Sequence, residues 1–113
     1  MRIVATPIAV AELAAMAEAG FGVLVKAVVD VDRRLMAVDA ELHADEEALL
    51  LADGSRQEHL WGINLYPGLP AEEWVEFDSM INVRPGRGNR TRGVEDGATR
   101  QRILAVVAAL VVR

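Results

Sequence analysis

The stretch Val23–Leu42, "VLVKAVVDVDRRLMAVDAEL", decides the fold. It is rich in β-branched residues, and Arg33–Arg34 divides it into "VLVKAVVDVD" and "LMAVDAEL". That pattern predicts two antiparallel strands joined as a hairpin. Side chains alternate across a strand, so Val25, Ala27, Val29 and Val31 share one face. Lys26, Val28, Asp30 and Asp32 share the other. In the second strand Met36, Val38, Ala40 and Leu42 oppose Leu35, Ala37, Asp39, Glu41 and His43.

The segments on either side supply helices and further strands. "RIV" at Arg2–Val4 reads as a short edge strand. "TPIAVAELAAMAEAG" reads as a helix, with Thr6 as cap, Pro7 in the first turn and Gly20 at the C-terminal end. "ADEEALLLADGS" reads as a helix capped by Asp45 and ended by Gly54, against a rival strand that turns at Asp53–Gly54. The capping-box spacing of "SRQE" favours the helix and adds one more helical turn. "LWGINLYP" is then a strand with Trp61, Ile63 and Leu65 on one side. "WVEFDSMINVR" reads as the clearest strand of the chain, from Trp74 to Arg84. Ile103, Val106, Val107, Leu110 and Val111 recur at helical spacing after an Asp96 cap. The expectation is one α+β domain over residues 1–113. A mostly antiparallel sheet of about four strands packs on the N- and C-terminal helices, with a short helical insertion between strands 2 and 3.

Composition narrows the chemistry. The 113 residues include no cysteine and two histidines, which excludes disulfides, thiolate metal sites and a histidine-rich metal centre. No apolar run reaches the roughly 18 residues of a membrane span, and no signal peptide is recognisable, so a soluble, cytoplasmic protein is expected. The formal charge is −5, yet residues 84–102 set six arginines against Glu95 and Asp96, a net of +4. The remainder carries −9, and Asp39–Glu58 holds seven carboxylates beside Arg56 alone. An acidic balance argues against a nonspecific nucleic-acid coat and leaves room for a local anion site.

"ELHADEEALLLADGSRQEHLWGINLYP", "DSMINVRPGRGNRTRGVED" and "FGVLVKAVVDVD" together resemble a small, uncharacterised family of prokaryotic single-domain proteins. The resemblance covers most of the chain and implies no activity, cofactor or catalytic residue. Its members often carry a better helix cap near Ala9 and a proline near Gly97.

Two constellations carry candidate chemistry. In "RPGRGNRTRG", Arg84, Arg87, Arg90 and Arg92 can bind phosphate or carboxylate, with Asn82 and Asn89 as supporting donors and a helix N-terminus close behind. The spacing matches no nucleotide-binding fingerprint. The alternative use of these arginines is pairing with the chain's own carboxylates. The second constellation is Glu41, His43, Glu76 and Asp78 on the opposite sheet face. Pairing of the third and fourth strands sets Asn64 beside Glu76 and Gly62 beside Asp78. Such a face suits acid–base hydrolysis, with or without Mg²⁺ or Mn²⁺, or is simply solvated. The apolar "ILAVVAALVV" suits either a homodimer contact or a deeply packed helix. A binding module for a small anionic or phosphorylated ligand is the leading expectation. A carboxylate/His hydrolase and a regulatory homodimer are the alternatives.

Overall fold

A computed structural model describes all of residues 1–113. The hairpin forms as the alternation requires. Strand β3 (Val25–Asp30) pairs antiparallel with β4 (Leu35–Val38), setting Ala27 opposite Val38 and Asp30 opposite Leu35. The turn is longer than the two arginines. Asp30 organises it, its Oδ1 accepting from the N–H groups of Asp32 and Arg33, while Arg34 takes a left-handed φ of 59°. Strand β1 (Arg2–Val4) adds to β4 as an edge, and β5 (Leu60–Leu65) adds to β3 on the other side. A two-residue β6 (Val75–Glu76) completes the antiparallel order β1-β4-β3-β5-β6.

One face of this sheet packs on α1 (Val10–Ala19) and α3 (Gly97–Leu110), as expected. Val25, Ala27, Val29, Met36, Val38, Ile63 and Leu65 meet Leu13, Ala17, Ile103, Val106, Val107 and Leu110 in one buried cluster. The residues of α3 outside that contact include the exposed alanines 105, 108 and 109. The other face is not solvated. Helix α2 (His43–Ala52) lies over it and buries Leu50 against Val28, Leu35, Ala37 and Leu60. The fold is therefore a sheet between two helical layers, because β3 and β4 are apolar on both faces.

Four local expectations are corrected. First, α1 begins at Val10, not at Thr6–Pro7, because Ile8–Ala9 form a short strand β2 parallel to β7 (Val111–Val112). Second, β4 stops at Val38, where Asp39 turns left-handed at φ 71°. Glu41 and His43 thus do not alternate on a strand, and α2 starts at His43 without a side-chain cap. Third, Ser55 caps nothing. Its hydroxyl accepts from Arg33, although a single 3₁₀ turn does follow at Gln57–His59. Fourth, "WVEFDSMINVR" is strand only at Val75–Glu76. Its second half is a 3₁₀ turn, Met80–Asn82, whose first N–H groups include a donor to the Ser79 hydroxyl.

Side-chain pairing accounts for that last break. Asn82 presents its amide to Gly62 as a neighbouring strand's backbone would. Gly62 N–H donates to Asn82 Oδ1 at 2.8 Å, and Asn82 Nδ2 donates to the Gly62 carbonyl at 2.9 Å. Ser79 fills the space above Gly62, where an added Cβ would stand 2.5 Å from the Ser79 side chain. Only glycine permits that approach.

Candidate functional site

The arginine segment is built from internal bonds. Arg84 and Asn89 exchange backbone hydrogen bonds around a 3₁₀ turn at Pro85–Arg87, closed by Gly88 at φ 85°. The Asn89 amide is a hub, donating to the carbonyls of Asn82, Thr91 and Gly93 and accepting from Glu95 N–H. Asn82 also donates to the Arg92 carbonyl. Both asparagines are buried, so their amides are committed to shaping the loop.

The four arginines go to different places. Arg84 turns inward, donates to the carbonyls of Ile81 and Leu60, and stacks 4.6 Å above the Trp61 ring. Burial lowers its pKa from the ordinary guanidinium value, and its Nη1 has no partner. Arg87 pairs with Glu58 at 3.2 Å. Arg90 is exposed, while its backbone N–H donates to Glu95. Arg92 pairs with Asp78 at 2.7 Å.

The carboxylate/His residues are also dispersed, with one exception. Glu41 is exposed beyond the end of β4. Glu76 lies opposite Asn64, as the pairing argument requires, and accepts from Asn64 Nδ2 and the Tyr66 hydroxyl. Gly62, by contrast, faces Ser79 and Asn82 in place of Asp78. No group of three His, Asp or Glu side chains is placed to hold a metal ion.

The exception is a small pocket where the two constellations meet. Its volume is about 180 Å³, and its walls include Lys26, His43, Ser79 and Arg92, with Leu42 and Met80 at the lip. Three elements bring these residues together: β3 supplies Lys26, the first turn of α2 supplies His43, and the 3₁₀ turn after Ser79 closes the side. His43 is 8% exposed. Its Nε2 lies 2.7 Å from the Ile63 carbonyl, which can only accept, so Nε2 carries the proton. Nδ1 then presents a lone pair with no partner in the chain. Burial lowers the imidazole pKa from 6.5, with Lys26 and Arg92 acting in the same direction against Asp78 and the Ile63 bond. The ring is neutral at pH 7.

Lys26 is the signal that the sequence reading overlooked. It is the chain's single lysine among 17 carboxylates, yet it takes part in no ion pair. Its Nζ sits 5.0 Å from the Phe21 ring centroid. The nearby Glu46 is fully buried, and burial raises its pKa to about 9, so it is neutral at pH 7, while Asp39 and Glu41 line a neighbouring cavity with Lys26 and Phe21 without forming an ion pair.

A larger cavity of about 530 Å³ lies across the molecule between α3 and β6. Trp74, Phe77, Leu104 and Val107 line it, and Arg113 stacks 4.9 Å over Trp74. Its walls are mostly apolar, with Glu72 and Arg113 the two ionisable residues among them.

The family described as "Protein of unknown function (DUF5674)" has a model that matches residues 2–110. The chain belongs to that family. The DUF5674 match runs from β1 through the end of α3, so it takes in Lys26, His43 and Arg92. No curated protein and no solved structure matches the chain. Within its helices, none is long and apolar enough to cross a membrane.

Proposed function

We propose that this DUF5674 protein binds a small anionic ligand, a carboxylate or phosphate group, in the pocket between the start of α2 and the Ser79–Asn82 turn. The observation that carries the reading is the unpaired Lys26 beside Arg92, in a chain of net charge −5. An ammonium and a guanidinium lining one pocket offer an anion two charge-assisted donors. Arg92 keeps guanidinium N–H groups free while its Nε is held by Asp78. The neutral His43 offers Nδ1 as acceptor to a protonated ligand oxygen, and the start of α2 adds favourable dipole. Of the arginine segment, Arg92 does the binding. Arg84, Asn82 and Asn89 build the wall behind it.

Isothermal titration with inorganic phosphate, acetate and small dicarboxylates tests the reading. Wild type binds at least one of them with millimolar or better affinity. Lys26→Ala and Arg92→Ala each weaken that binding severalfold, and Arg87→Ala leaves it unchanged. Equal binding by Lys26→Ala and wild type sinks the proposal.

A further inference from the structure

The lip of the same pocket tells what kind of molecule carries the anion, an inference that rests on the reading above. Leu42 and Met80 both line the pocket, and they are 56% and 66% exposed. Each belongs to the element that closes one side, Leu42 just before α2 and Met80 in the 3₁₀ turn. Neither belongs to the core clusters on the two faces of the sheet. Ile81, partly buried, continues the apolar lining inward, and the exposed Ala44 extends it at the rim. Lys26 and His43 therefore form the deeper wall, while Arg92, its side chain 57% exposed, shares the rim with Leu42 and Met80. A cavity of about 180 Å³ is too small to enclose a drug-sized ligand, whose sites run to roughly 300–1,000 Å³. It takes the head of a ligand and leaves the rest at the lip.

We infer that the ligand is amphipathic: a single carboxylate or phosphate monoester head joined to a flat or branched apolar group. The head meets Lys26, Arg92 and His43 Nδ1. The apolar group lies between Leu42 and Met80, removing both from water. A thioether is adaptable and packs well against ring edges, so Met80 suits an aromatic group on the ligand. A bare inorganic anion fills the head site and leaves the lip exposed.

Phenyl phosphate and inorganic phosphate, titrated in parallel into the full chain, test this. In wild type, phenyl phosphate binds about tenfold more tightly than phosphate, the gain expected from covering part of a ring and two apolar side chains. The Leu42→Ser, Met80→Ser double variant removes most of that advantage and leaves phosphate affinity unchanged. Both positions are exposed, so the fold is retained, which circular dichroism verifies. Equal affinity for the two ligands, with phosphate binding still dependent on Lys26, overturns the amphipathic assignment and leaves the anion pocket standing. Binding of neither ligand overturns both. A phenyl advantage that survives the double variant also overturns the assignment, because the lip is then not its source.

Discussion

Replacing Glu46 by Gln exposes how α2 is held over the sheet. The side chain is fully buried, its Oε2 accepts from Ala40 N–H at 3.0 Å, and its Oε1 has no partner. Burial dominates and lifts the pKa from 4.5 to about 9, although the Ala40 bond and Lys26 oppose the rise. The unfolded chain releases this proton near pH 4.5, while the folded chain retains it to about pH 9. Stability from this group is therefore fully present below pH 4.5 and declines as pH rises to about 9. The slope is about 1.4 kcal/mol per pH unit. Glutamine resembles the neutral acid and removes that slope. Its extra N–H groups shift absolute stability by a constant, so the informative quantity is the pH dependence. Urea unfolding of both proteins at pH 7.0 and 8.5 provides it, and the His43 contribution, common to both, cancels in the comparison. Wild type should lose about 2 kcal/mol more than Glu46→Gln across that interval. Parallel loss in the two proteins would refute the argument, because Glu46 would then be ionised in the fold.

Three further outcomes follow from the geometry. Asn82→Ala leaves the Gly62 N–H and C=O buried without partners and should cost about 3 kcal/mol in denaturant unfolding. Gly62→Ala drives a methyl group into Ser79 and should destabilise by about 2 kcal/mol, much of it recovered in the Gly62→Ala, Ser79→Gly double variant. His43 should titrate below 6.5 in NMR. Since its folded pKa is depressed, stability falls as pH drops below 6.5, and His43→Gln should flatten that part of the profile.

The sequence disclosed the hairpin, the three helices and the Asn64–Glu76 register, because period-2 and period-3.6 patterns are local properties. It misled where one side chain outbid the backbone. Trp74–Arg84 alternates like a strand, but the Asn82 amide and the Ser79 contact with Gly62 are long-range partnerships invisible in a pattern. The covering of the second face by α2 was hinted at by Val28, Leu35 and Ala37, apolar residues among the supposedly solvated ones. Charge counting drew attention to the arginine segment because it is dense. Lys26 carries no such signal, since its lack of an ion pair is a fact of three-dimensional neighbours. His43 and Arg92 belong to separate sequence motifs, and their meeting at one pocket depends on how α2 crosses the sheet.

The position of an anion on the molecule is the central claim, and amide chemical-shift mapping with inorganic phosphate tests it most directly. Perturbations that saturate together at Lys26, His43, Ala44, Ser79 and Arg92, and vanish in Lys26→Ala, are the predicted result. Perturbations centred on Arg87–Arg90, unaffected by Lys26→Ala, would contradict the account.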